Sequence, residues 1–339
     1  MTQLFRSQLF QTHSKVSKVN SDLQTHAPRV SHKTLLYSNL VTDLESLQAD
    51  IAVLGMPFGS AYSPRSFTND QTNAPQAIRD VTDRIVRAPH HYDFDISGPL
   101  LQGRSDIQFV DCGDILPDLQ FPGDHYRRCE LAIRSILRSG GMPIVLGGDH
   151  GITTPVLRGY DDVGPVTLIH VDAHLDWRQD VNGVTDGLSS PIRRASEMSH
   201  VNEIVQIGLR AQGSGRPEDL EAAREYGCML VTAYELHSVG MQAILDRIPD
   251  GGKYYLSIDA DGLDPTIMPA VDGPAPGGVT FLQARELIHG LVRKGRVVGM
   301  DIVEIQPSKD TATKLTCVTA GRLIVNLIGA SIRAGYFDK

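Results

Sequence analysis

Seven short apolar runs, each closed by a polar or glycine-containing cluster and separated from the next by stretches of helical period, constrain this 339-residue chain more than any other feature. They read IAVLGMPF from Ile51, IQFVDCGD from Ile107, PIVLGGDH from Pro143, PVTLIHVDAH from Pro165, EIVQIGLR from Glu203, YYLSIDAD from Tyr254 and RVVGMDIVE from Arg296. Runs that are apolar along their length fit strands buried on both faces. Parallel strands of that kind need crossover helices, for which residues 74–87, 123–139, 217–226, 280–294 and 312–334 carry the amphipathic spacing. The expectation is an α/β fold: a single domain over residues 49–339, with a mostly parallel sheet covered by helices on both faces. Residues 1–48 are rich in Ser, Thr, Gln, His and Lys without a sustained period and read as an N-terminal arm. No repeat of 20–50 residues and no Pro/Gly-rich linker interrupts the domain.

Composition narrows the function by exclusion. A net charge of −8 without a Lys/Arg-rich run lacks the electrostatic footprint of a nucleic-acid binder. Met1 to Ser14 lack the apolar stretch of a signal peptide, and no later segment approaches the roughly 20 apolar residues that span a bilayer, so no membrane partner and a cytoplasmic location are expected. The cysteines Cys112, Cys129, Cys228 and Cys317 form no CxxC pair and read as free structural thiols.

In open α/β sheets ligands bind at the carboxyl ends of strands, and here those ends collect carboxylates and imidazoles. If His170-Val171-Asp172-Ala173-His174-Leu175-Asp176 stays extended, Asp172, His174 and Asp176 share one side. Ser257-Ile258-Asp259-Ala260-Asp261 repeats the device with Asp259 and Asp261, and Gly147-Gly148-Asp149-His150 presents His150 from a tight turn. Four aspartates buried together without cations would be costly through desolvation and mutual repulsion. Two divalent cations balance a charge of about −4, and two neutral imidazoles complete a mixed nitrogen and oxygen shell.

Together the GGDH, DAHLD and SIDADGLDP segments resemble the signature motifs of the ureohydrolases, the arginase and agmatinase family. The likeness extends over about residues 50–335 and includes Gly55-Met56-Pro57-Phe58, Gln206-Ile207-Gly208-Leu209-Arg210 and Gly299-Met300-Asp301-Ile302-Val303-Glu304. The resemblance implies an arginase-like three-layer fold. It implies one metal on His150, Asp172, Asp176 and Asp259 and another on Asp172, His174, Asp259 and Asp261, so that Asp172 and Asp259 bridge. Manganese is the first choice of metal and nickel the second. It implies hydrolysis of a C–N bond in a small guanidino compound, giving urea or a substituted urea and an amine, with agmatine and guanidino acids as conventional substrates. The guanidinium carbon is a poor electrophile, and water coordinated by two dications is ionised near neutral pH. By resemblance Asp261 accepts from that solvent molecule and Glu304 pairs with the guanidinium. A trimer or hexamer, or a mixed oligomer with a related chain, is the implied assembly.

Two departures stand out. Where the family carries a histidine that protonates the leaving amine, this chain reads Gly183-Val184-Thr185-Asp186-Gly187-Leu188. Asp186 therefore stands as a proton shuttle or as a second anion for the substrate. The loop from Gly59 to Ala74 replaces an agmatinase-type Arg-Pro-Gly-Ala-Arg run with SPRSFTNDQTNAPQAIR, keeping Arg65 and Ala77-Ile78-Arg79. Trp177, directly after DAHLD, either narrows the pocket or packs in the core. His125 and the pair His90-His91 are further candidates for the missing acid. These departures open a second substrate class, a biguanide or substituted guanidine such as metformin. Two other readings compete: a non-catalytic metal-binding subunit, disfavoured because every ligand is kept, and a one-zinc deacetylase, disfavoured by the number of carboxylates.

Overall fold

A computed structural model of the chain describes residues 25–26, 33–66, 68–117 and 121–338. Ten strands join in one sheet among the described residues: β1 (Thr25–His26), β2 (Asn39–Leu40), β3 (Ile51–Met56), β4 (Phe109–Ile115), β5 (Met142–Gly147), β6 (Val166–Val171), β7 (Val201–Leu209), β8 (Met229–Thr232), β9 (Lys253–Asp259) and β10 (Arg296–Val303). Their order is β1-β4-β3-β5-β10-β9-β6-β7-β8, with β2 beside β4. Every pairing is parallel except the short β1 against β4.

The apolar runs are continuous because both faces are covered. In β3, Ile51 and Val53 enter one hydrophobic cluster while Ala52, Leu54 and Met56 enter another on the opposite side. β6 divides likewise, with Ile169 and Val171 on one face and Val166 and Leu168 on the other. This is the period of two that a strand imposes. The result is the expected three-layer α/β fold.

The helices start where the sequence supplies stop and start chemistry. Pro122 opens Pro122–Arg138 and Pro217 opens Pro217–Tyr226, which ends on Gly227 in the left-handed conformation (φ 93°). Thr280 and Gln283 form a reciprocal cap on Phe281–Lys294. The expected helix over 74–87 is broken at Val81 into Ala74–Asp80 and Thr82–Ile85. Leu315–Arg333, 19 residues long, is apolar and long enough to cross a membrane, which corrects the expectation that no segment approaches that length. It is a core helix here, 83% buried and packed on Phe281–Lys294.

Most of the expected arm, residues 1–24 and 27–32, lies outside the described residues. Residues 33–48 lie against the domain: Leu35 and Leu36 are buried, and the Leu35 N–H donates to Asp111 Oδ2 at 2.9 Å. Asp111 also takes two bonds from the buried Arg79, each 2.9 Å.

The strands that end in carboxylates and histidines, β5, β10, β9 and β6, are consecutive in the middle of the sheet. The chain winds outward to β3 and β4 on one side and to β7 and β8 on the other, so their carboxyl ends meet at the switch point of the topology.

Candidate metal centre

The segments carrying the candidate ligands do not stay extended. β6 ends at Val171, the backbone bends at Ala173 and His174, and Asp176 has φ 48°. β9 ends at Asp259, whose carboxylate caps a single turn, Ala260–Gly262, by accepting from Asp261 N at 2.8 Å. The expected alternation along DAHLD is therefore replaced by turns, and the side chains converge by a different route.

His150 Nδ1 faces three carboxylate oxygens: Asp259 Oδ2 at 3.0 Å, Asp176 Oδ2 at 3.2 Å and Asp172 Oδ2 at 3.3 Å. His174 Nδ1 lies 3.2 Å from Asp261 Oδ2 and 3.6 Å from Asp172 Oδ1. Asp172 thus offers one oxygen to each cluster, the position of a bridging ligand. Asp259 turns Oδ2 toward His150, while its Oδ1 holds the Asp261 N–H.

The charges are strongly coupled. Burial, then the neighbouring Asp261 and Asp172 charges, hold the Asp259 carboxyl well above its ordinary value. Burial alone would lower the His150 imidazole, but Asp172, Asp176 and Asp259 outweigh it and hold it well above. Asp261 is the largest cause raising His174 to about 10. No long cationic side chain offsets these carboxylates: within the described residues, no Lys or Arg nitrogen lies within 4.0 Å of Asp149, Asp172, Asp176, Asp259, Asp261 or Glu304.

His170 is a neighbour without a role in the motif reading, although it lies two residues before Asp172. Its Nε2 comes within 2.9 Å of Asp172 Oδ2 but off the line of a hydrogen bond, so both are buried polar atoms without one. Gln206 fixes its tautomer. The Gln206 amide nitrogen donates to the Leu175 carbonyl at 2.8 Å and sits 3.1 Å from His170 Nδ1. A carbonyl only accepts, so this atom is the amide nitrogen, and His170 Nδ1 accepts from it. The proton of neutral His170 is then on Nε2, which suits a donor toward Asp172 rather than a metal ligand.

Glu304 follows β10 with φ 63°, a conformation that costs a non-glycine residue of order 1 kcal/mol or more. Its Oε1 accepts from the His150 N–H at 2.7 Å and its Oε2 from Gln71 Nε2 at 2.9 Å. Burial, with Asp149 nearby, raises its carboxyl to about 8. Asp149 is raised to about 6 by burial and accepts from the Gly151 N–H at 3.0 Å. A Cβ on Gly59 would collide with the Asp149 carboxylate, which places the altered loop directly on this corner. Gln71, also from that loop, had no signal in the sequence beyond its neighbourhood.

Of the other candidates, Asp186 and His125 border the site: Tyr126 OH lies 3.0 Å from the Gly151 carbonyl and 2.9 Å from that of Asp186. The Asp186 carboxylate is engaged by Arg158 Nη1 at 2.9 Å, so it is not an unpaired acid aimed at the ligands. Of the two readings of Trp177, the core one holds and the substrate-binding one does not: it is 1% exposed and its ring lies 5.7 Å from that of Tyr226. His125 is buried, with Nε2 3.3 Å from the Gly59 carbonyl. His90 and His91 are exposed and touch each other edge to face, and Arg65 is exposed on a short turn. Arg210, from the QIGLR motif, is buried and donates only to backbone carbonyls, among them Asp261 (2.6 Å), Ala275 (2.7 Å) and Gly208 (2.9 Å). It ties the turn bearing Asp261 to β7.

These donors fit a pair of divalent cations. Asp172 Oδ2 is buried without a hydrogen bond while His150 Nδ1 and further carboxylate oxygens converge on the same space, and a mixed set of oxygens and imidazole nitrogens is what first-row divalent ions take.

Comparison with known proteins agrees with this geometry. A family model described as the arginase family matches residues 49–329. An N(1)-aminopropylagmatine ureohydrolase of Thermus thermophilus is 34% identical over 207 residues, 60% of this chain and 67% of its own length. A guanidinobutyrase of Pseudomonas aeruginosa is 32% identical over 280 residues, 81% of this chain and 84% of its own. The solved structure of a proclavaminate amidino hydrolase from Streptomyces clavuligerus superposes with a TM-score of 0.73 at 25% identity, covering 89% of this chain and 97% of the other.

Proposed function

The chain belongs to the arginase family, a family of metal-dependent ureohydrolases, and from that membership we propose that it hydrolyses a C–N bond of a small guanidino compound at a pair of divalent cations, releasing urea or a substituted urea and an amine. His150, Asp172, Asp176 and Asp259 would hold one cation and Asp172, His174, Asp259 and Asp261 the other, with manganese the metal to load. When bound, the pair supplies Lewis acidity and ionises water near neutral pH.

The protein's own groups do the rest. Glu304 has two oxygens with about four lone-pair sites, and the His150 N–H and Gln71 occupy one on each oxygen. The remaining sites accept N–H groups of a guanidinium and orient its central carbon, and the buried carboxylate gains a counter-charge as it does so. Asp261, which the Ala173 N–H approaches at 3.4 Å and His174 Nδ1 at 3.2 Å, would accept a proton during attack.

The observation that carries this reading is the excess of buried carboxylate without a Lys or Arg partner among the described residues, a site made for cations, both metal and substrate. Urea release by the Mn2+-loaded protein from agmatine, guanidino acids, a biguanide and free guanidine tests it. Turnover of one member supports the proposal. No turnover with both cations bound would favour the non-catalytic reading. Beyond the site, we carry forward a homo-oligomer or a mixed oligomer in the cytoplasm as part of the proposal.

A further inference from the structure

Asp301 is a fully buried carboxylate on β10 that the reaction outlined above does not use. Three hydroxyls aim at it: Ser257 Oγ donates to Oδ1 at 2.7 Å, and Thr153 Oγ1 and Tyr255 OH donate to Oδ2 at 2.8 Å and 2.9 Å. Ser257 Oγ also lies 3.0 Å from His150 Nε2.

The directions of these bonds follow from what each group can do. An ionised carboxylate only accepts, so the single Ser257 hydroxyl hydrogen goes to Asp301. The Ser257 oxygen must then accept from His150, which puts the imidazole proton on Nε2. In the neutral imidazole that a metal ion requires, Nδ1 is left with its lone pair, on the side where Asp172, Asp176 and Asp259 converge. The opposite tautomer would put a proton where a cation belongs.

We propose that Asp301, acting through Ser257, is a positioning residue that fixes the tautomer and ring orientation of His150 so that Nδ1 is available to a metal ion. The inference rests on the functional reading above. It adds two residues from adjacent strands, β9 and β10, to a site whose ligands come from the strand ends. The in-register pairing Asp301↔Ser257 is what brings the hydroxyl and carboxylate together beneath His150. Gln206 holds His170 in the same Nε2–H tautomer, but there the protonated nitrogen is the one that faces Asp172, so one tautomer serves two different tasks.

The test is Mn2+ binding by the full-length protein and the variants Ser257→Ala, Asp301→Asn, Ser257→Thr and the Ser257→Ala/Asp301→Asn double variant. Unaltered protein is expected to take two Mn2+ per chain. Ser257→Ala and Asp301→Asn should each weaken one of the two by roughly 10- to 100-fold and leave the other near its native affinity. The double variant should be no worse than Ser257→Ala, because Asp301 acts only through the hydroxyl. Ser257→Thr, which keeps the hydroxyl, should restore tight binding. Equal weakening of both ions, additive losses in the double variant or native affinity in Ser257→Ala would each overturn the proposal. Imidazole 15N shifts of the unaltered protein loaded with diamagnetic Zn2+ give a readout free of folding effects: His150 must keep a protonated Nε2 with the ion on Nδ1, and the reverse refutes the relay. Failure of unaltered protein to bind two Mn2+ would instead defeat the functional reading, which keeps the two failures separate.

Discussion

Proton release on metal uptake is a direct consequence of how the metal-free site balances its charge. Without cations, the imidazoles stand in for them: His174 is raised from its ordinary 6.5 to about 10, chiefly by Asp261, and His150 is held well above its ordinary value. Below about pH 10, an ion arriving at the His174 position must expel a proton. The apparent Kd for Mn2+ there should therefore fall about ten-fold per pH unit between about pH 7 and about pH 9, or about 1.4 kcal/mol per unit. Calorimetry in buffers of different protonation enthalpy should count about one proton released per ion at this position, with Asp259 and His150 adding to release at the other. The sign for stability follows from the same shift. A folded value raised above the unfolded one means that the His174–Asp261 attraction stabilises the metal-free protein fully below about pH 6.5. It is lost as pH rises through about 10. A Kd independent of pH across that window, with no protons released, would refute the reasoning.

Three substitutions probe other parts of the molecule. Glu304→Gln should lower kcat/KM by on the order of 10²-fold or more while leaving two Mn2+ bound, because it removes the charge that faces the guanidinium but not a ligand; turnover alongside metal analysis checks this. Arg79→Met strands Asp111 and Asp114 beside the 33–38 segment and should cost about 3–5 kcal/mol in urea denaturation, a loss under 1 kcal/mol arguing that the cluster holds nothing. Asp186→Asn should change turnover by less than about three-fold, since its carboxylate is engaged by a partly exposed Arg158; a fall of about 10²-fold at constant metal content would make it the proton donor.

Much of the fold was legible because a strand buried on both faces has little choice but to be apolar throughout, as in Ile51–Met56 and Val166–Val171. The edge strand Met229–Thr232 was not read, being four residues long and only partly buried, too short to show a period. The ligands were legible because Asp and His crowded at several strand ends are too costly to bury together unless cations join them. How they converge was not: a bend at Ala173 and a left-handed Asp176 bring them together where alternation was expected. Ser257 and Asp301 sit inside quoted motifs but become meaningful only when β9 and β10 pair in register, which no local pattern specifies. Trp177 was left between pocket and core because its neighbour Asp176 pointed to the first and its apolar bulk to the second; after the left-handed Asp176 the indole is 1% exposed, in the core.

That two cations share the Asp172 carboxylate is most directly tested by counting tightly held Mn2+ in desalted, loaded protein, before and after Asp172→Ala. Two ions per chain, with both lost or greatly weakened when the carboxylate shared between the clusters is removed, is the expected result. Protein that retains no transition metal, or one whose metal content is indifferent to Asp172, would contradict it.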